Sequence, residues 1–185
     1  MAYRPRTRVW SAAPLTAGAV ALGAIKEHLR VTSNDEDATI SAYGIAATAA
    51  VERWTQRLLI RREAVLRLRD LPSGQCPIEL PGGVVGSITS VVADGVTITG
   101  AYAVGDSPAL MIPDADWPAV TGSGYPVVIT YQVGFVTPPA DLINAVKMIC
   151  ADMYETRQSM VEGASSKALV SAEWLMAPHR IWAAA

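Results

Sequence analysis

Histidine is nearly absent from this 185-residue chain, which carries only His28 and His179, and phenylalanine occurs once. With so few imidazoles a His-based acid/base pair or zinc site has very few ways to be built, and no HExxH, GxSxG or Walker A sequence is present. Charge is scarce as well. Only 17% of residues are charged and acids exceed bases by two, which points away from a general nucleic-acid binder or a polybasic membrane binder. The two cysteines, Cys76 and Cys150, match neither CxxC nor a metal-ligand spacing and read as free, buried thiols of a protein made in a reducing compartment. Long apolar runs are missing too. Arg4, Arg6 and Arg8 precede an apolar stretch from Val9 to Ile25 that mimics a signal peptide, with Ala19-Val20-Ala21 as its small-residue site. Ser11, Pro14 and Thr16 interrupt that stretch, and its pattern continues into Lys26-Glu27-His28-Leu29-Arg30 as an amphipathic helix. A bilayer span would need about 20 uninterrupted apolar residues.

What is present is organised around Ser33 to Ile60. Ser33 and Glu36 have capping-box spacing, Asp35, Glu36 and Asp37 sit where a helix dipole is positive, and Arg53 and Arg57 sit where it is negative. Ile40, Tyr43, Ala47, Val51, Trp54 and Leu58 recur at steps of three and four, one apolar stripe of a long helix. A shorter helix from Ala17 to Leu29 precedes it, and the two read as an αα-hairpin. Before them, residues 1–16 read as a basic extended arm with two prolines and an exposed Trp10.

After Ile60 the period changes from 3.6 to 2. Leu66-Arg67-Leu68-Arg69 alternates, and short β-candidates follow at Ile78 to Leu80, Gly86 to Ala93, Val96 to Thr99, Ala109 to Ile112 and Val127 to Val133. Asp94-Gly95 is the strongest hairpin signal, because a type I′ turn needs positive φ at both central residues. Helix returns after Thr137-Pro138-Pro139, with Leu142, Val146, Ile149 and Met153 as its stripe. Met160 to Lys167 reads as a linker, followed by a last helix from Leu169 to Met176 that stops before Pro178. The expected fold is α+β: a helical bundle (17–60 and 137–159) built on two long helices, an inserted small antiparallel β-module (61–136), and a linker with a C-terminal docking tail (160–185).

Four stretches invite a functional reading. Gly82-Gly83-Val84-Val85-Gly86 could cradle phosphate, but β-like sequence follows it, not a helix start, so it reads as a turn. Asp114-Ala115-Asp116 offers two carboxylates where hard cations want more oxygen ligands. Arg53, Arg57, Arg61, Arg62, Arg67 and Arg69 form a basic cluster, either a solvated helix end and strand face or a contact to an acidic partner or anionic ligand; the interleaved aromatics of a single-strand binder are missing. Trp174, Leu175, Met176, Ile181 and Trp182 place two tryptophans and three large aliphatic side chains on the tethered tail, which either folds back or docks into another chain.

The order of these features resembles the head-to-tail connector (adaptor) family of tailed bacteriophages. The likeness runs through Lys26-Glu27-His28-Leu29-Arg30-Val31, Asn34-Asp35-Glu36-Asp37 with Ile40, Ala46-Ala47 to Val51-Glu52, and Arg57-Leu58-Leu59. It continues in Ile78-Glu79-Leu80-Pro81, Ile129-Thr130-Tyr131 with Gly134-Phe135, Ala151-Asp152-Met153-Tyr154-Glu155-Thr156-Arg157, and Leu175-Met176-Ala177-Pro178-His179-Arg180. Thr16 to Gly23 is longer and richer in alanine than the family pattern, and His179 stands where the family usually has tyrosine. The resemblance implies a structural virion protein with no cofactor and no catalysis: a twelve-fold ring between portal and stopper or tail-terminator, at the portal vertex, made in the bacterial host cytoplasm, with DNA only passing through and no membrane. It also implies portal docking by Trp174, Leu175, Met176, Pro178, Arg180, Ile181 and Trp182, and ring or partner contacts through the two long helices and Arg53, Arg57, Arg61 and Arg62. The alternative is a small-molecule or peptide-binding module, possibly enzymatic, holding an anionic ligand at the arginine cluster.

Overall fold

The structure is a computed structural model that describes Tyr3 and residues 8–104, 109–156 and 167–181. The chain divides into two compact units, one of Met1–Pro14 with Ile60–Val136 and one of Leu15–Leu59 with Thr137–Ala185. The first is β-rich and the second helical, so the architecture is α+β.

In the β-unit the strands are β1 (Arg8–Ala12), β2 (Arg62–Leu68), β3 (Ile78–Leu80), β4 (Val85–Ala93), β5 (Val96–Thr97), β6 (Ala101–Val104), β7 (Ala109–Pro113) and β8 (Val127–Val133). They make a five-stranded sheet in the order β1-β2-β8-β4-β5 and a three-stranded sheet in the order β3-β7-β6, with every named pair antiparallel. Alternation decides which face is buried. Leu66, Ile129 and Val91 lie side by side across three strands, as do Leu68, Val127 and Ala93, and all are buried. Ile78, Leu80, Ala109 and Met111 give the smaller sheet its buried face.

Asp94 and Gly95 have φ of 49° and 79°, the double positive φ of a type I′ turn, and join β4 to β5 as expected. The Asp94 carboxylate also accepts hydrogen bonds from the N–H groups of Thr121 (2.8 Å) and Gly122 (3.0 Å), fastening the loop before β8 to the hairpin. At the other end of β8, Gly134 has φ +118°, and a Cβ there would stand 2.5 Å from the Ile60 carbonyl oxygen, so only glycine fits.

Residues 8–12, expected within a free arm, are instead the edge strand β1. The indole N–H of Trp10 donates to the Tyr131 hydroxyl (2.8 Å), which donates to the Pro81 carbonyl (2.9 Å). Burial raises the Tyr131 pKa, keeping the phenol neutral and able to relay that pair of bonds. Tyr3 makes a parallel bridge to Ile78, and its hydroxyl donates to Asp70 (2.6 Å); burial and that carboxylate push its pKa up to about 12. The amino-terminal stretch thus touches both sheets.

The helical unit contains α1 (Leu22–Leu29), α2 (Asp37–Thr55), α3 (Ala140–Glu155) and α4 (Lys167–Met176), then a 3₁₀ turn at Ala177–His179. The helix expected from Ser33 to Ile60 is shortened at both ends, to about 28 Å at 1.5 Å per residue. No capping box forms. Ser33 bonds to Asp35, and Glu36 accepts a hydrogen bond from the Tyr154 hydroxyl of α3 (2.5 Å), so tertiary pairing captures the carboxylate that would have capped the helix. At the far end Gln56 adopts left-handed φ (58°), and the chain turns so that Leu58 and Leu59 are buried, with the Leu59 N–H donating to Glu52 (2.7 Å).

The first helix starts at Leu22 and not Ala17, and the residues before it pack on α2 through bends instead of helical turns. A Cβ on Gly18 would lie 3.2 Å from the Gly44 carbonyl carbon, and Ala19 N–H donates to Thr48 Oγ (3.0 Å). The buried face of α2 is correspondingly narrow in volume: Ile40, Gly44, Ala47, Thr48, Val51, Glu52 and Thr55, with Tyr43 and Trp54 half-buried. From α3, Leu142, Ala145, Val146, Ile149 and Cys150 supply the rest. Neither cysteine is in a disulfide; Cys150 is buried, which raises its pKa, while Cys76 is half-buried. The linker expected at Met160 to Lys167 lies, up to residue 166, outside the described residues, and Lys167 opens α4. Among the described residues no helix is long and apolar enough to cross a membrane.

Candidate assembly surface

The C-terminal segment, read from the sequence as a docking tail, is strapped along its described length to its own helical unit. Ala172 and Met176 of α4 are buried, and four interactions hold the residues that follow. Arg57 Nε donates to the His179 carbonyl (2.6 Å), and the Ile181 N–H donates to the Thr55 carbonyl (3.0 Å), one of the carbonyls that the end of α2 leaves without an intrahelical partner. The Arg180 guanidinium lies 4.9 Å from the centroid of the Trp54 ring, within cation–π range. His179 Nε2 lies 2.5 Å from Asp141 Oδ2, donating its N–H to the carboxylate at the start of α3.

Asp141 is worth following because two opposed influences act on it. Partial burial pushes its carboxyl up, but the His179 hydrogen bond, the Leu142 N–H and the imidazolium charge together outweigh burial and hold it below the ordinary carboxylate value. The contact joins residues 38 positions apart.

This strapping sorts the expected docking residues. Met176 points inward, while Leu175, Arg180 and Ile181 are half-buried against the helical unit. Pro178 is exposed and Trp174 is 80% exposed on α4. Trp182 lies outside the described residues. A tryptophan held in the open on a helix whose opposite side is buried is an unspent apolar anchor.

The arginines of the cluster are divided between the two units. Arg53 and Arg57 belong to the helical unit and Arg61 and Arg62 to the β-unit. Arg53 is exposed in the last turn of α2, and Arg57 is engaged by His179. Arg61 lays its guanidinium against Gly86, where a Cβ would meet it at 2.8 Å, and its Nε donates a long bond to the Gly134 carbonyl (3.5 Å). Arg62 opens β2, half-buried, and Arg67 and Arg69 are exposed at the other end of that strand. Gly82 and Gly83, both at positive φ, lead into β4, which already holds Val85 and Gly86; Asp114 follows β7 with its N–H on the Gly100 carbonyl (2.7 Å), and Asp116 is exposed. Among the described residues no group of three or more His, Cys, Asp or Glu side chains is placed to hold a metal ion.

The fold has counterparts among solved structures. A chain from the neck of an empty gene transfer agent particle, computed with C6 symmetry, matches with a TM-score of 0.80 at 25% identity over 96% of this chain and 97% of that one. This chain shares its fold with chains of the gene transfer agent neck. A chain of the native gene transfer agent virion matches at TM-score 0.76 and 23% identity, over 95% and 97% of the two chains. One from the native neck computed with C12 symmetry matches at 0.76 and 24%, over 96% and 97%. No protein-family model matches the chain, and no curated protein matches it by sequence. The likeness covers nearly the whole chain, both units included, and bears out the resemblance to head-to-tail connectors that the ordered motifs carry.

Which signals could have found the strapping? The i to i+1 pair His179-Arg180 has no periodicity, and its partners Asp141, Trp54 and Thr55 lie in other helices.

Proposed function

We propose that this chain is a structural protein of a virion neck, a head-to-tail connector that assembles as a ring. The observation that carries this reading is the whole-length match to a chain of the gene transfer agent neck. The described residues add a physical reason: they offer surfaces for other chains, an exposed tryptophan and an exposed sheet edge, but bring no nucleophile, base and ligand groups together. A ring follows from one heterologous contact repeated by rotation until it closes. The C6 and C12 symmetries of the neighbouring necks support a ring of that kind, and twelve copies is the number proposed here.

In the finer reading the ring lies between portal and stopper or tail-terminator and extends the DNA channel without catalysis. Portal docking is assigned to the C-terminal segment, with Trp174 as its anchor and Leu175, Met176, Pro178, Arg180, Ile181 and Trp182 as the surrounding residues. Arg53 and Arg61 are assigned to contacts with neighbouring chains, and Arg57 and Arg62 to their support. The anion-binding alternative is not favoured, since Arg57 already serves the His179 carbonyl and the arginines are shared between two units.

The test is assembly with the portal protein of the same particle, followed by light scattering and electron microscopy. A stacked ring that Trp174→Ala weakens at least tenfold, with an unchanged monomer melting temperature, is the expected result. A chain that ignores the portal at every salt concentration overturns the reading.

A further inference from the structure

The register of the five-stranded sheet fixes what its outer face carries. Val127, Ile129, Tyr131 and Val133 of β8 are buried, so the residues between them point the other way. Cross-strand partners share a face, which carries that side through β2 to β1 and through β4 to β5. Its uncharged polar members are Ser11, Ser87, Ser90, Thr97, Thr130 and Gln132, and its apolar members are Val9, Val65, Val92 and Val128. Arg67 and Glu63 are its charged members, and none of the twelve residues is buried.

That composition fits a phosphate backbone better than another protein. Arginine, hydroxyl and amide side chains are the ones that contact phosphate oxygens. Arg67 is exposed, and Arg69 follows the strand, exposed as well. Glu63 lies four residues before Arg67, about 13 Å along the strand at ~3.3 Å per residue, beyond the screening length of about 8 Å at physiological salt. Asp70 accepts a hydrogen bond from the Tyr3 hydroxyl (2.6 Å), and Tyr3 is bridged to Ile78, which turns that carboxylate toward the three-stranded sheet. The arginine end of the face therefore keeps its positive charge. Protein interfaces, by contrast, are anchored by large side chains, and the apolar residues here are all valines. Five strands of at most about seven residues, ~4.8 Å apart, cover no more than about 400 Å², half of the ~800 Å² that a stable protein interface uses on each side.

We propose that the outer face of the five-stranded sheet meets the sugar-phosphate backbone of duplex DNA passing through the neck. Arg67 and Arg69 contact phosphates, and the serine, threonine and glutamine side chains donate hydrogen bonds beside them. The proposal rests on the neck reading, which supplies the duplex, and adds the surface that faces it. Contact is independent of base sequence and weak in one copy, because two arginines release few counterions, and a ring repeats it without holding the duplex in one register. Such a face suits a duplex that slides past and is not a pocket for a small anion.

Nuclear magnetic resonance titration of the full-length protein with a short duplex of mixed sequence tests this contact, since residue-by-residue shifts report both weak binding and its location. The double variant Arg67→Gln/Arg69→Gln removes both cations, and Glu63→Gln removes the carboxylate of the face. Asp116→Asn changes the net charge by the same amount as Glu63→Gln but in the loop after β7, off the face. At low salt, shifts should gather on Arg67, Ser90, Thr130 and Gln132. Affinity should fall about fivefold or more in the double variant, rise about twofold in Glu63→Gln and stay unchanged in Asp116→Asn. Log affinity should fall against log salt with a slope of about −1.8, that is ~0.9 for each of two phosphates neutralised.

Binding by the double variant equal to wild type, shifts gathered elsewhere, equal tightening by Glu63→Gln and Asp116→Asn, or no shift at low salt overturns the proposal. A polyglutamate peptide that shifts these residues where the duplex does not also overturns it and marks an acidic protein partner. Portal assembly is measured separately. A chain that fails with the duplex but stacks on the portal keeps the neck reading, whereas one that binds the duplex through this face and ignores the portal keeps the contact and overturns the neck.

Discussion

In the β-unit, β8 buries every second residue from Val127 to Val133, and Val127, Ile129 and Tyr131 each have a buried neighbour on β2. In the helical unit, α2 buries glycine, alanine and threonine over most of one face and lets backbone approach backbone at Gly18 and Gly44. The first arrangement derives its order from large side chains repeated at a fixed period. The second derives it from close approach and from polar contacts between residues far apart in sequence, such as Tyr154 with Glu36 and His179 with Asp141. A repeated pattern tolerates the loss of any one edge, whereas isolated long-range contacts can each be lost alone.

Substitutions can sharpen that contrast. Leu66→Ala, at the centre of the β-unit core, should lower unfolding free energy by about 2–5 kcal/mol in urea titration, because the surrounding strands cannot close the cavity. Gly134→Ala should cost about 1–3 kcal/mol from backbone strain, with the Ile60 carbonyl adding steric overlap; a melting curve equal to wild type would show that the turn can rearrange. Trp10→Phe keeps an aromatic side chain but deletes the indole N–H and the five-membered ring, and a loss of about 1 kcal/mol from the hydrogen bond is expected, together with faster exchange in β1.

Asp141→Asn belongs at the small end of the scale for global stability and should act on the C-terminal segment. Since the folded carboxyl is held below its ordinary value, its contribution is complete above the unfolded-state value and is lost as pH falls through the folded one. Limited proteolysis of the wild type should therefore show the segment cleaved faster in acid, with the core of the helical unit resistant. Asp141→Asn should be cleaved faster already at neutral pH and respond little to acid. Equal protection in both proteins would mean that Arg57, Trp54 and Thr55 hold the segment without the ion pair.

The strand spans Ile78–Leu80 and Val127–Val133, the Asp94-Gly95 hairpin and the helix after Pro139 were all legible in the sequence. Each depends on a local period or on a turn residue whose φ is its own property. The order of short motifs was likewise enough to reach the connector resemblance, because order survives where each motif is weak. Tertiary structure alone decided the rest. Arg8–Ala12 became a strand because β2 supplied its ladder, Ser33–Glu36 failed to cap because Tyr154 took the carboxylate, and α2 stopped at Thr55 because burying Leu58 and Leu59 required the chain to turn. The tail's strapping to Asp141, Trp54 and Thr55 is of the same kind. Local sequence determines the conformations that neighbouring residues can support by themselves; partners brought together from distant positions determine which of those conformations keep their hydrogen bonds and their burial.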